Sequence, residues 1–230
     1  MTTSLPVLLY AASTWVLPVL FAVTLHEAAH GFAAWRLGDD TAYRAGRLSL
    51  NPFRHVDPFG TVLLPALLLI LRSPFLFGWA KPVPVSFGKL RHPRRDMVLV
   101  AAAGPGMNLA LAAVSALLFH LLDALPLAAA NWTAHTLYNS ILLNLVLAVF
   151  NALPLPPLDG GRIAVGLLPA PLSRPLAGLE PYGLGILLAV VFLLPLLGAQ
   201  LGYDLNVFAW IVGLPVSWLL PLFHQLAGLG

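Results

Sequence analysis

Two histidines and a glutamate occupy one short stretch of the sequence, His26-Glu27-Ala28-Ala29-His30. Histidines four residues apart lie on one face of a helix, so both imidazoles can bind one metal ion. The glutamate after the first histidine can then act as a general base toward a metal-bound water. The pattern therefore predicts a zinc site with His26 and His30 as ligands and Glu27 as the base.

The residues around this motif are apolar, which makes its ionisable side chains costly. Ionisable residues inside a membrane-spanning helix are expensive and point to function by default. The alternative interpretation is a buried polar cluster that hydrogen-bonds to neighbouring helices. Three such residues within five are difficult to explain without a ligand, so we favour the metal site.

A catalytic zinc ion usually has three protein ligands and one open position, so a third ligand is expected elsewhere. Asp159 follows a proline-rich segment, where prolines stop a helix and impose irregular backbone. Such backbone is tolerated at membrane depth only when it is buried or lines a cavity, which suits a site between helices. The alternative is an ordinary helix end at which Asp159 caps the next turn. Other candidates are His55, His92, His224 and Asp57, and also His120, Asp123 and His135, which are expected at the outer ends of their helices.

The amino-acid composition indicates whether water or lipid surrounds this protein. Of its 230 residues, 59% are hydrophobic and 9% are charged, whereas soluble domains carry about 25% charged residues. The net charge is +3, but the basic residues lie between apolar stretches, where they act as topology signals. Composition thus excludes a secreted enzyme, a cytosolic Rossmann domain and a nucleic-acid-binding protein. It predicts an integral membrane protein embedded in the lipid bilayer.

We expect an all-α polytopic membrane protein with about five to six transmembrane helices, since each needs about 20 mostly apolar residues. Residues 1–230 are expected to form a single domain, with a core at 6–165 and accessory C-terminal helices at about 182–228. The candidate spans are residues 6–35, 60–79, 97–122, 132–157, 182–201 and 205–228.

The segment 60–79 is the weakest of these candidates. Pro65, Arg72 and Pro74 interrupt it, and an arginine in the middle of a spanning helix is costly. If it crossed fully, the basic stretches on its two sides would face opposite sides of the membrane, contrary to the positive-inside rule. We therefore expect a re-entrant or membrane-buried loop between the first and second spanning helices.

The sequence resembles the site-2 protease family of intramembrane zinc metalloproteases, in its compact prokaryotic branch without PDZ or CBS modules. The resemblance covers roughly residues 15–165. It rests on the motif at 26–30 and on a distal motif with Asn151, Pro154 and Asp159. The segments 46–52, 55–60, 78–85 and 103–108 look like further characteristic parts of the family.

This resemblance implies that His26, His30 and Asp159 hold one Zn²⁺ per chain, with Glu27 as acid and base. It also places Asn151 near the substrate carbonyl. The implied activity is regulated intramembrane proteolysis, in which a zinc endopeptidase hydrolyses a peptide bond in or near a transmembrane segment. The implied substrates are single-span membrane proteins or signal-peptide-like remnants, and the implied location is a prokaryotic cell membrane.

The expected depth of the site follows from its distance to the nearest basic residue. His30 lies six residues before Arg36, which is about 9 Å along a helix at about 1.5 Å per residue. The site is therefore expected inside the membrane but nearer its cytoplasmic face.

A helical substrate must be unwound before it can be cut, and one segment of the sequence suits this task. Two prolines deny it a helix and favour an extended edge, to which a substrate strand could be added. The alternative, a plain proline-rich loop, is equally compatible with the pattern. The segment consists of Lys81, Pro82, Val83, Pro84 and Val85.

Other polar residues have weaker functional signals. His55 and Asp57 could orient ligands or the nearby loop, although a turn-capping role is slightly favoured. Asn108 and Asn144 are predicted to hydrogen-bond between helices, and Gly104 to permit close helix packing.

Two other functions fit parts of the sequence. A transporter or ion-binding membrane protein could use His26, Glu27 and His30 as a relay, but secondary transporters often contain inverted repeats, and we find no second copy of the motif. An inactive protease-like scaffold is the other alternative, although all expected ligands and the base are present.

Overall fold

The structure is a computed structural model that describes residues 5–63, 67 and 80–229. Within these residues it is helical and contains no strand, which confirms the all-α prediction. Five of the described helices are long and apolar enough to span a membrane: Leu5–Arg36, Pro93–Ala124, Leu127–Asn151, Glu180–Leu201 and Ala209–Leu226. Most of the predicted re-entrant segment 60–79 lies outside the described residues.

The α-helices are numbered here in chain order. They are α1 (Leu5–Arg36), α2 (Thr41–Arg44), α3 (Pro93–Leu118), α4 (Leu127–Asn151), α5 (Asp159–Leu167), α6 (Ala170–Ala177), α7 (Glu180–Leu188), α8 (Leu194–Leu201) and α9 (Leu214–Leu226). Short 3₁₀ helices form at Pro52–Arg54, Phe87–Lys89 and Phe119–Ala124, and π-helical turns at Pro58–Leu63, Ala189–Leu193 and Ala209–Gly213.

Helix α4 ends earlier than the predicted span 132–157, because the sequence becomes rich in proline after Asn151. Its last residue is Asn151, and an irregular turn at 152–158 leads into α5. Prolines in this turn lack the N–H that continues a helix. The turn redirects the chain so that Asp159 becomes the first residue of α5.

Helices α1, α3 and α4 form the centre of the bundle, and α5 packs against α3. Small side chains let α3 approach its neighbours closely, as is usual between membrane helices. The apolar core between α3, α4 and the last span consists of Ala112, Ala116, Ile141, Leu145, Val212, Val216 and Ala227. Large apolar side chains such as Leu9, Val16 and Phe21 point outward on α1, as expected for a lipid-facing surface.

Residues 80–86, which we term the proline segment, form no helix or strand and run beside α1. Hydrogen bonds from the preceding loop fix its first half. The backbone N–H of Lys81 donates to the His55 carbonyl at 2.9 Å. The Arg47 guanidinium donates to the Lys81 carbonyl at 2.8 Å.

Asp39 fixes the other end of the proline segment. It is fully buried and accepts hydrogen bonds from the Ser86 backbone N–H at 2.6 Å and from the Thr41 backbone N–H at 3.0 Å. Burial by itself raises the pKa of the Asp39 carboxyl, but a hydrogen bond from the Thr41 hydroxyl and these two backbone hydrogen bonds lower it by more, so the pKa lies below its ordinary value. The ionised carboxylate therefore ties the loop after α1 to the proline segment.

Candidate metal centre

Three side chains from two helices converge at one point of the bundle. Helix α1 supplies His26 and His30 one turn apart, and the first residue of α5 supplies Asp159. The two Nε2 atoms lie 3.0 Å apart. The Asp159 Oδ2 atom lies 3.3 Å from Nε2 of His26 and 3.2 Å from Nε2 of His30. Each residue thus offers one ligand atom to a common point.

Close backbone packing brings Asp159 to this point. Gly160 lies directly against the turn that follows α4, where an added Cβ would overlap the Ala152 carbonyl and come within 2.5 Å of the Leu153 carbonyl oxygen. Only glycine permits this approach, so the start of α5 can fold back toward α1. The sequence Asp159-Gly160 therefore combines a ligand with the close packing that places it.

The outer nitrogens of both imidazoles face acceptors. Nδ1 of His26 lies 2.6 Å from Oδ1 of Asn108, and Nδ1 of His30 lies 2.7 Å from the Val100 carbonyl oxygen. A carbonyl oxygen only accepts, so Nδ1 of His30 carries the hydrogen. The same assignment holds for His26 with the amide oxygen facing it. Both Nε2 atoms are then left with a lone pair that points to the common point.

A cation resolves the electrostatics of this arrangement. Two imidazole lone pairs and a carboxylate oxygen face one another, and the buried Asp159 Oδ2 accepts no hydrogen bond within the described residues. Ligand distances of about 2.0–2.1 Å in a tetrahedral zinc site separate neighbouring ligand atoms by about 3.3–3.4 Å. The donor set and its spacing therefore fit zinc.

Glu27 follows the first ligand on α1 and has a partner that the sequence did not indicate. Its Oε2 atom accepts a hydrogen bond from the backbone N–H of Val83 at 2.7 Å. Val83 belongs to the proline segment and is buried. Pro82 and Pro84 signal an irregular backbone at this place, but no pattern in the sequence indicates which side chain the intervening N–H binds.

Asn151 is the last residue of α4, eight residues before Asp159. Its Nδ2 donates to the Leu147 carbonyl of its own helix at 3.0 Å. In this conformation the amide is turned back along α4. The predicted contact of Asn151 with a substrate carbonyl therefore stays a prediction.

His55 and Asp57 lie in the loop before the proline segment. His55 is 2% exposed, and its Nε2 donates to the Ser49 carbonyl at 2.8 Å. The Asp57 carboxylate accepts from the Gly60 backbone N–H at 2.6 Å. These contacts shape the loop, and the His55 carbonyl in turn holds Lys81 of the proline segment. A direct role at the metal centre stays a prediction for both residues.

Comparison with known proteins agrees with this geometry. A family model described as Peptidase family M50 matches residues 120–196. Over 185 residues the chain is 43% identical to "Putative zinc metalloprotease YwhC" of Bacillus subtilis, a match that covers 79% of this chain and 80% of that protein. The chain belongs to peptidase family M50, the site-2 protease family.

A second relative of this M50 chain is "Putative zinc metalloprotease Rip2" of Mycobacterium tuberculosis. It is 35% identical over 218 residues, which cover 92% of this chain and 75% of that protein. No solved structure matches the chain. Membership of M50, bacterial relatives and the apolar helices together support an integral membrane metalloprotease of a bacterium.

The packing of α3 on the metal centre generates a mutational prediction for this M50 chain. A Cβ added at Gly104 would lie 2.6 Å from Cε1 of both His26 and His30. We expect Gly104→Ala to displace the imidazoles, to reduce the zinc content of the purified protein, and to destabilise it by about 1–3 kcal/mol, as overpacking typically does.

The matched control is Gly106→Ala on the same helix, where an added Cβ meets no heavy atom within 4 Å. This variant should keep the zinc content and thermal unfolding temperature of the wild type. Equal zinc content and stability in both variants would show that Gly104 does not limit the approach of α3 to the ligands.

Proposed function

We propose that this chain is an intramembrane zinc endopeptidase that hydrolyses a peptide bond in or near the transmembrane segment of a membrane protein. The observation that supports the proposal is that His26 and His30, on a helix long enough to span a membrane, converge with Asp159 of α5, while Glu27 follows His26 on the same spanning helix. M50 membership and the names of the relatives support the same reaction class.

His26, His30 and Asp159 would hold the zinc ion. When bound, zinc polarises a carbonyl and lowers the pKa of a coordinated water from 15.7 to about 7. Two neutral imidazoles and one carboxylate make a three-residue ligand set, which leaves a position open as catalytic zinc sites require. The Nδ1 hydrogen bonds to Asn108 and Val100 keep both Nε2 lone pairs directed at the ion.

Glu27 would act as the general base and then as the general acid. Its Oε2 accepts from the Val83 N–H, so Oε1 is the oxygen left to take a proton from the attacking water. The same carboxyl would later deliver that proton to the leaving amine. The Val83 N–H orients the carboxylate for both transfers. Asn151 would donate to the developing oxyanion after its amide leaves the Leu147 carbonyl.

The position of the site suggests how it would meet a substrate. His30 is six residues from Arg36, about 9 Å along α1, and further basic residues follow in the loop regions near this end of the bundle. The positive-inside rule assigns this end to the cytoplasm. Single-span membrane proteins and signal-peptide remnants, whose helices lie in the same bilayer, are the proposed substrates.

The proline segment would hold an unwound stretch of substrate. Residues before a proline are confined to extended conformations, and backbone groups of alternate residues in an extended chain point to the same side. The Val83 N–H points to Glu27, so the N–H of Val85 would face the same side. Within the described part of the chain, that N–H has no hydrogen-bond partner. It is the donor we propose for pairing with substrate backbone.

Substitution of Glu27 tests its assignment as the base. Glu27→Gln should keep the zinc content of the wild type, because the ligands are unchanged, and should abolish cleavage, because an amide cannot accept the proton. Cleavage would be followed with a co-expressed panel of doubly tagged single-span reporter proteins. Turnover of any reporter by both wild type and Glu27→Gln would refute the assignment of the base. Zinc binding with no turnover by the wild type would support the inactive scaffold.

Two proline substitutions separate the two functions proposed for the proline segment. Val85→Pro removes a free N–H and should raise KM for a cleaved reporter with zinc content and kcat retained. Val83→Pro removes the donor to Glu27 and should lower kcat. Unchanged KM in a folded Val85→Pro variant would rule out substrate pairing at this position.

A further inference from the structure

Two asparagines are buried in the centre of the helix bundle. Asn108 on α3 is 0% exposed and Asn144 on α4 is 1% exposed. Polar side chains at such positions are expensive and must be satisfied by hydrogen bonds. The hydrogen-bond partners of the two amide groups therefore indicate their structural role.

A continuous chain of hydrogen bonds runs from α4 to the first metal ligand. The Asn144 Nδ2 donates to the Ser140 carbonyl at 2.8 Å. The Asn108 Nδ2 donates to Oδ1 of Asn144 at 2.8 Å and to the Ala22 carbonyl at 3.3 Å. Oδ1 of Asn108 is thereby left to face Nδ1 of His26 at 2.6 Å.

Backbone carbonyl groups determine which atoms donate and which accept along this series of hydrogen bonds. The Ser140 and Ala22 carbonyl oxygens only accept hydrogen bonds, so both asparagines must turn their NH₂ groups toward them. If Asn108 flipped, its oxygen would face the Ala22 carbonyl and its NH₂ group would face His26. The observed orientation leaves only an acceptor for the imidazole, and Nδ1 of His26 must then supply the hydrogen.

We infer that Asn108 and Asn144 are positioning residues that fix the tautomer and ring orientation of His26, so that its Nε2 lone pair is committed to the metal. This inference rests on the proposed zinc site. His30 obtains the same constraint from the Val100 backbone carbonyl, which a side-chain substitution cannot remove. The constraint on His26 depends on side chains and can therefore be tested by mutation.

The experiment measures the zinc dissociation constant of detergent-purified protein by competition with a chelator. Asn108→Leu removes the acceptor at similar volume and should weaken zinc binding about 10- to 100-fold, as loss of such a partner typically does. Asn108→Asp should bind zinc nearly as tightly as the wild type. Its carboxyl keeps an oxygen acceptor for Nδ1 of His26 at similar volume, so comparison with Asn108→Leu tests the hydrogen bond rather than packing.

The matched control is Asn139→Leu. Asn139 also joins two helices, since its Nδ2 donates to the Thr14 hydroxyl at 3.0 Å, but it does not belong to the chain that ends at His26. This variant should keep wild-type zinc affinity. An equal loss of affinity in Asn139→Leu and Asn108→Leu would overturn the inference, because general loosening of the bundle would then explain both.

Asn144→Leu provides a second test if Asn108→Leu does not fold. It leaves His26 and Asn108 untouched but removes one of the two acceptors that orient the Asn108 amide. Weaker zinc binding would support the inference. Wild-type zinc affinity in every folded variant of Asn108 and Asn144 would overturn it. Failure of the wild type to bind zinc would refute the proposed function itself, which is a distinguishable result.

Discussion

Three acceptor atoms that face one another between α1 and α5 impose the main constraint on this bundle. Two imidazole nitrogens and a carboxylate oxygen, all from largely buried side chains, lie 3.0–3.3 Å apart. Such a group repels itself unless a cation lies among its members, and charged groups in an apolar medium are costly when unpaired. Some of the surrounding contacts bring the three atoms together. Others hold the imidazole hydrogens on Nδ1, so that the Nε2 lone pairs face the proposed metal position.

The helices contribute to this site through backbone contacts as much as through side chains. The glycines at 104 and 160 let α3 and the start of α5 approach to distances that a Cβ would prevent. A backbone carbonyl binds the imidazole of His30, and a backbone N–H binds the carboxylate of Glu27. Such contacts use the rigidity of the fold, which is how a site is held within a fraction of an ångström.

The sequence predicted those parts of the structure that depend on residue type and spacing. The spans follow from apolar length, and the placement of His26, Glu27 and His30 follows from a helical period. The proline-rich helix end made Asp159 one candidate for the third ligand, and the family resemblance singled it out. It could not predict that Val83 donates to Glu27, because a backbone N–H leaves no trace in residue identity. The two asparagines were predicted to hydrogen-bond between helices. The orientation of their amide groups depends on which backbone carbonyls lie nearby, and only the folded structure shows that. The end of α4 was placed too late, since the proline-rich residues 152–157 were counted within the predicted span.

The most direct test of the account is the zinc content of protein purified in detergent. Wild type should contain about one zinc ion per chain, and His26→Ala and Asp159→Ala should lose it while remaining folded. His135→Ala is the control, since that imidazole binds the Asn131 carbonyl in another part of α4, and it should keep its zinc. Folded wild type that contains no zinc and does not take it up from added metal would contradict the account.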